Sequence, residues 1–415
     1  MRRAFILLAL AATALSNVQA GGLMTNTNYH IAFDRMMARG ATFDIDAVYS
    51  NPAGLAWGHE GWQLSLNFQK PWQFRDIKVG ETTYEGKASA PIVPALFASY
   101  KHDRWAVSAM LGIVGSGGYV EYKQGVPMFN MLVAGMLQQK GLAPGSYALD
   151  SEMKGKQYIY GGQVNFTYKI LDCLSAAVGL RVNYYDGYYR GHVRANHEQL
   201  GQLVNLELDV DQRGWGVAPI LAVGYHQGPL TLAARYEFRT KINTENKTHT
   251  LNAPTGTEAY TAAYQDGVKT RYDMPALLAV AAGYEFTPKL RATLEYHFFD
   301  DKNAQMAGDR QKELTRGTHE FLAGVEYDIN QRFTVSCGAQ RTDYGLSDNY
   351  QQDTSFACDS WSIGMGGAWN INEKIRLNAG YFISLYSDYE KVASFGKETF
   401  SRTNNVIGIG IDYKF

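Results

Sequence analysis

The sequence predicts an all-β protein, a transmembrane antiparallel β-barrel of about fourteen strands with an N-terminal hatch plugging the lumen. Three observations carry this reading. Apolar residues recur at every second position from Trp62 to the end of the sequence. The connections between these stretches alternate between short and long. No run after residue 20 is long and apolar enough for a membrane helix.

The first element reads as a leader. Arg2 and Arg3 precede the apolar run 4–15, and Val18-Gln19-Ala20 supplies small residues for a cleavage site, so residues 1–20 are expected to be a secretory signal peptide. Gly21 follows where a lipid-anchored protein would carry Cys. Without Arg2 and Arg3 the chain holds 37 basic and 40 acidic residues, a near balance that gives no reason to expect nucleic acid as a partner. Cys173, Cys337 and Cys358 are odd in number and form no CxxC, so neither a metal site nor a cofactor is expected. The strand register sets Cys337 and Cys358 opposite other residues, which argues against a disulfide. Aromatic residues reach 13%, with 28 Tyr and 42 Gly against 11 Pro, a composition that favours β-structure in an exported chain.

Residues 21–60 form the second element, and they lack the alternation of the region from 61 onward. Asp34, Arg35, Arg39, Asp44 and Asp46 are interspersed with Phe33, Met36, Met37, Phe43 and Ile45. Met36, Met37 and Arg39 suit a helical turn. A barrel of this size encloses a lumen that side chains alone do not fill. A mixed polar and apolar segment suits that space, so 21–60 is expected to be the plug; a periplasmic tail is the competing reading.

The barrel is expected over 61–415, with strands at 61–76, 89–101, 104–114, 155–170, 174–190, 212–227, 229–242, 271–286, 289–300, 316–329, 332–344, 357–371, 374–387 and 402–415. Leu230, Leu232, Ala234, Tyr236 and Phe238 alternate with Thr231, Arg235, Glu237 and Arg239. Ile407, Ile409, Ile411, Tyr413 and Phe415 alternate with Val406, Gly408, Gly410, Asp412 and Lys414. A soluble sandwich would alternate too. The connections decide against it: those at 101–104, 171–173, 227–229, 287–289, 330–332 and 372–374 are short, and the intervening ones are long. Aromatics such as Tyr225, Tyr284, Phe286, Tyr327, Trp369 and Tyr413 gather beside the short turns, as a girdle would. Phe415 closes an alternating strand and resembles the C-terminal signal read by the barrel-assembly machinery.

Two groups of side chains bear on function. The longest loop carries Met128, Phe129, Met131, Leu132, Val133, Met136, Leu137 and Leu142, an apolar content that marks a capture surface for hydrophobic molecules; packing of that face onto the barrel rim is the competing reading. Arg181, Arg235, Arg239, Arg291 and Arg376 are candidates for a carboxylate head group. Glu237, Glu285, Glu295, Glu320 and Glu326 offer them partners, so pairing with one another and with the hatch is expected. His297 and His319 read as structural. There is no GxSxG and no HExxH, so an enzyme is not expected.

The run ATFDIDAVYSNPAGLA at 41–56, placed between a leader and a barrel ending in Phe, resembles the FadL/TodX family of outer-membrane transporters for long-chain fatty acids and aromatic hydrocarbons. The resemblance implies a hatch whose motif, here Asn51, Pro52, Ala53 and Gly54, lies near a strand that kinks inward and opens the wall. It places the kink on the third strand, 104–114, running into Gly115, Gly117 and Gly118; an ordinary loop entrance is the alternative. It implies hydrophobic cargo leaving sideways into the Gram-negative outer membrane, outer-membrane lipid around the barrel, and a monomer. Alternatives of another class are a receptor, adhesive or structural barrel, haem uptake, or a general porin.

Overall fold

In a computed structural model the described residues are 28–254, 257, 261–393 and 396–415. The expected leader and residues 21–27 lie outside them. The chain winds into one antiparallel sheet that closes on itself as fourteen barrel strands. They are β1 (Gly61–Val79), β2 (Thr82–Ser89 continued by Val93–His102), β3 (Trp105–Tyr122), β4 (Ala148–Leu171), β5 (Leu174–His197), β6 (Gly201–Gln227) and β7 (Leu230–Glu237 continued by Asn243–Asn252). Then come β8 (Lys269–Arg271 and Leu277–Thr287), β9 (Leu290–Phe299), β10 (Thr318–Asp328), β11 (Phe333–Asp343), β12 (Ser360–Asn370), β13 (Ile375–Tyr386 and Tyr389–Ala393) and β14 (Gly396–Lys414). β14 returns to β1 in continuous register from Gln63↔Lys414 to Val79↔Glu398. Pairing of β14 with β1 leaves neither of these two strands an open edge in lipid.

Burial is inverted relative to a soluble sheet. Leu64, Leu66, Phe68, Val164, Val178, Leu294, Ile363 and Ile409 are exposed on the outside, while Ser65, Asn67, Asn165, Arg181, Thr293, Glu295, Ser362 and Asn378 are buried within. Period two does this: each strand sends alternate side chains to lipid and to the lumen. The short turns fall where the spacing placed them, and Tyr284, Phe286, Tyr327 and Trp369 stand exposed beside them. All three cysteines are free.

Strand lengths depart from expectation on the outer side. The segment between 115 and 155, expected to be loop, is strand to Tyr122 and again from Ala148, with helix α3 (Pro127–Gln138) between. The expected loop at 191–211 is a strand hairpin. β4, β5 and β6 run 24, 24 and 27 residues, far beyond the ~9–11 that cross a bilayer. Outside the membrane the outer face meets water, so it carries Lys154, Arg190 and Asp209, and the apolar alternation that marks a strand in lipid is lost.

Residues 28–57 lie inside the barrel. Helix α1 (Ile31–Met36) is wholly buried and ends where Met37 takes φ 67°. Helix α2 (Ala47–Ser50) and a 3₁₀ helix (Pro52–Trp57) complete the hatch. Glycines in the wall let α1 approach backbone to backbone. A Cβ placed on Gly338 would stand 1.8 Å from the Met36 carbonyl oxygen, and one on Gly364 would stand 2.4 Å from that of Asp34.

Candidate functional site

The Asn51-Pro52-Ala53-Gly54 motif has a local physical cause. The Asn51 carboxamide accepts the Ala53 amide at 3.1 Å and caps the 3₁₀ helix, where Pro52 needs no hydrogen-bond acceptor. Gly54 lies against the Thr42 carbonyl, which a Cβ would meet at 2.3 Å. The motif's carbonyls are then fixed to the wall: Thr167 of β4 donates to Pro52 at 2.8 Å, and Ser175 of β5 donates to Ala53 at 2.8 Å. Asn51 itself donates to Val223 of β6 at 3.3 Å. The motif therefore bonds to β4, β5 and β6 and not to the third strand. Leu55, the next apolar residue, reaches further and joins a buried cluster with Ile45, Val48 and Tyr49 of the hatch and with Ala95, Met110, Ile113 and Val114 of β2 and β3.

At that cluster the wall is interrupted. β3 does not end at Val114; it continues to Tyr122 through two bulges, one between Ile113 and Gly115 and one between Ser116 and Gly118. Gly115, Gly117 and Gly118 thus sit inside the strand. Val114 and Gly117 are the extra residues, and backbone freedom at Gly118, with φ 69°, suits the second bulge. β2 breaks at the same level. Its two halves pair with Gly112 and with Tyr119 of β3, leaving the stretch between them without ladder bonds to β2. Ala90-Pro91-Ile92 makes the break, and Pro94 and Pro71 flank it without amide donors. A cleft of about 860 Å³ opens here. It is lined by Leu66, Leu96, Leu111 and Tyr160 from the lipid face and by Ala95 and Ile113 from the lumen face. The sequence signal for this break was the pair of prolines in APIVPA, inside a stretch read as the second strand.

The outer apolar loop forms α3, and its apolar side is turned inward. Met128, Phe129, Leu132, Val133 and Leu137 are buried, while Met131 and Met136 are half-buried. The open capture surface expected from the sequence is instead a sheltered one, because the long outer extensions of β4 to β6 give the helix a wall to pack on. Beneath it Phe129, Met153, Tyr189, Val193, Leu206 and Tyr264 enclose a small apolar pocket of about 50 Å³. The start of α3 is held from another loop: the Asp353 carboxylate accepts the Met128 amide at 2.6 Å. Burial, together with the nearby Glu398 charge, pushes the Asp353 carboxyl up to about 7.

The luminal charges pair largely as expected. Arg181 forks onto Glu237 with both bonds at 2.7 Å. Arg291 binds Glu326 and Asp328, and Arg35 of the hatch also reaches Glu326. Glu295 accepts the Arg39 and Gly40 amides at 2.8 Å each. His297 lies between Glu295 at 2.7 Å and Glu320 at 3.0 Å, and His319 contacts the Tyr296 hydroxyl at 2.8 Å. Arg235 binds the Tyr49 carbonyl, Arg239 the Asn303 carbonyl, and Arg376 lies 4.0 Å from Glu326. Glu285 is exposed. No group of three or more potential metal ligands occurs among the described residues.

Comparisons with known proteins agree with this architecture. A family model for the outer membrane protein β-barrel domain matches residues 251–415. The fold is similar to that of a Pseudomonas aeruginosa FadL homologue, with 14% identity, a TM-score of 0.69, and coverage of 95% of this chain and 100% of that one. It is similar to the P. putida toluene transporter TodX at 14% identity and TM-score 0.63, covering 90% and 95% of the two chains. It is also similar to the Ralstonia pickettii toluene transporter TbuX at 15% identity and TM-score 0.57, covering 89% and 94%. No curated protein matches. The chain has the FadL/TodX fold, and its C-terminal part matches the outer membrane protein β-barrel domain.

Proposed function

We propose that this FadL/TodX-type barrel takes up hydrophobic small molecules, long-chain fatty acids or comparable apolar compounds, through the outer membrane. Cargo is captured beneath α3, passes the apolar side of the hatch, and leaves sideways into the bilayer through the interrupted wall. The observation that carries this reading is the cleft between β2 and β3, lined by lipid-facing and lumen-facing apolar residues together. A dry, apolar exit serves a greasy molecule and offers nothing to a hydrated sugar. The similarity in fold to a FadL homologue and to toluene transporters supports it. The hatch, filling the lumen, acts as the plug. A single chain suffices, surrounded by outer-membrane lipid, with the exposed Phe415 offered to the assembly machinery.

Deleting Val114 and Gly117 together tests the exit. Removing one extra residue from each bulge restores a regular ladder with β4 and shortens by two residues the stretch of β3 that faces the break in β2, and two deletions preserve the inward and outward alternation beyond them. The expected result is a barrel at normal surface level whose uptake of a fluorescent long-chain fatty acid drops to that of cells lacking the protein. Uptake at the parent rate would refute lateral exit.

A further inference from the structure

A lysine stands on the lipid face with no acid to meet it. Lys70 of β1 is exposed, and its pairing partner on β14 is Ile407, itself 51% exposed. Phe68 precedes it on the same face, and farther out Phe74, Leu385 and Trp361 are still exposed on β1, β13 and β12. The register aligns these three: Phe74 and Leu385 both oppose Thr403, and Trp361 opposes Leu385. Lys70 therefore lies inside the apolar band and not above it. Among the described residues no carboxylate lies within 4.0 Å of its ammonium, which makes no hydrogen bond. Arg341, on the lipid side of β11, differs: Asp359 is 3.6 Å away, and its guanidinium lies 5.9 Å from the centre of the Trp361 ring. A charge that faces hydrocarbon is costly unless a partner meets it, and such a residue marks a binding function.

Its place along β1 is a second, independent observation. Gln69 pairs with Val93 and Trp72 with Ser89, so Lys70 and Pro71 are the β1 residues that face the break Ala90-Pro91-Ile92. Pro91 and Ile92 line the cleft of about 860 Å³, together with Leu66, Leu96 and Leu111. Lys70 is thus at the rim of an apolar opening on the lipid face. Water finds little to bond to in such a cleft, whereas a hydrocarbon chain gains contacts along its length. A lipid that put a chain there would keep its head group on the outer side. The flexible lysine stem can lift the ammonium toward that level past Trp72.

We propose that Lys70 binds the phosphate of a membrane lipid whose acyl chain occupies the cleft between β2 and β3. The resident lipid seals the wall break when no cargo is passing. A phosphate is the anion that a membrane surface supplies at all times, and an ammonium binds it by charge-assisted hydrogen bonds. Cargo leaving sideways displaces the chain, while Lys70 keeps the head group in place for the chain to return. Only this last step rests on the exit proposed above; the lipid site itself stands on the unmatched charge and the cleft beside it.

The test uses the full-length protein, stripped of lipid in a neutral detergent, and native mass spectrometry with added phosphatidylglycerol or a diacylglycerol of the same chains, which lacks the phosphate. The native protein should retain one phosphatidylglycerol and hold it at least ~10-fold more tightly than the diacylglycerol, as expected for hydrogen bonds between charged groups. Lys70→Gln should lower phosphatidylglycerol binding to the level of the diacylglycerol and leave the diacylglycerol unchanged, and Lys70→Arg should keep both as they were. Leu111→Trp, which fills the cleft and spares the charge, should weaken both lipids. Heat-modifiable gel mobility identifies any variant that does not fold, and the comparison in the native protein then decides alone. Equal binding of the two lipids by the native protein overturns the proposal, as does undiminished phosphatidylglycerol binding in Lys70→Gln or Leu111→Trp. Displacement by an equal concentration of inorganic phosphate or of palmitate also overturns it, the first making Lys70 a site for a free anion and the second a contact for cargo. A protein that holds the lipid through Lys70 yet takes up no fatty acid keeps the lipid site and loses the exit reading.

Discussion

Replacing Gly338 with Ala drives a methyl group into the hatch. The new Cβ would stand 1.8 Å from the Met36 carbonyl oxygen, where ordinary contact begins at 3.4 Å. The end of α1 must therefore retreat by about 1.6 Å. It cannot do so freely, because Arg35 is bound to Glu326 and to Ser336 at 2.8 Å, and Asp34 accepts from Gln69 at 2.8 Å. Overpacking of this kind costs about 1–3 kcal/mol. If that cost falls on the seated hatch, the released population rises roughly 5- to 150-fold. Single-channel recording reads the release as more frequent openings. Trypsin reads it as cleavage at Arg35 and Arg39, which are 0% and 4% exposed when the hatch is seated. Part of the strain falls on the wall, since the same methyl meets the Ala323 carbonyl at 2.8 Å. Repeating the substitution in a chain without residues 28–57 isolates that part. Gly135→Ala, placed in open space, is the control. Unchanged openings and unchanged protection of Arg35 in Gly338→Ala would refute the claim that wall glycines seat the hatch.

Other substitutions probe the remaining parts. Deleting residues 21–56 should turn a closed barrel into a leaky one, seen as a large step in conductance, because the lumen loses its filler. Met131→Ser with Met136→Ser alters the two half-buried methionines of α3 and should slow uptake of a fluorescent fatty acid at low supply; normal uptake would leave α3 with rim packing as its only role. Protection of α3 should depend on pH through Asp353. Its carboxyl is raised to about 7, so its contribution to the docked state is complete below the ordinary carboxylate range, falls as pH rises, and is gone above about 7. Hydrogen exchange of 128–137 should then be slower at about pH 5 than at about pH 8, and Asp353→Asn should flatten the difference.

The fold was legible because lipid imposes a strict chemical alternation on each spanning strand. That constraint ends at the membrane surface, and legibility ends with it: Lys154, Glu152 and Asp150 alternate with Met153 and Ser151 on a strand that a search for apolar alternation passes over. The hatch was legible by contrast with the alternating strands after it, and the NPAG run only through its resemblance to the FadL/TodX family; its cap and close packing are features of the folded chain. The wall break was half legible. Glycines marked the bulges in β3, while Pro91 and Pro94, equally visible, carried the break in β2 and were absorbed into a strand.

The two sides of the hatch differ in chemistry, which would let one segment seal the lumen and still border the proposed route. Toward β10 to β14 and β1 charged and polar bonds hold it, Arg35 with Glu326, His30 with Asp412 at 3.1 Å and the Ile31 amide with Asn67 at 3.0 Å, beside an apolar cluster of Phe33, Met37 and Ala38 with Leu322, Phe382 and Val406. Toward β2 and β3 its contacts are apolar, through Ile45, Val48, Tyr49 and Leu55, and the hydrogen bonds next to them go to β4, where Gln163, Asn165 and Thr167 donate to hatch carbonyls. Charge-assisted bonds are directional and short, so they hold the hatch in one position against the far wall. Apolar contacts are individually weak and non-directional, so an apolar guest can replace them without leaving a polar group unpaired. The break in β2 lies on this second side. A hydrophobic molecule moving between the hatch and β3 would exchange one greasy neighbour for another, while water entering behind it would have to give up hydrogen bonds. On this arrangement the plug need not be expelled for cargo to pass.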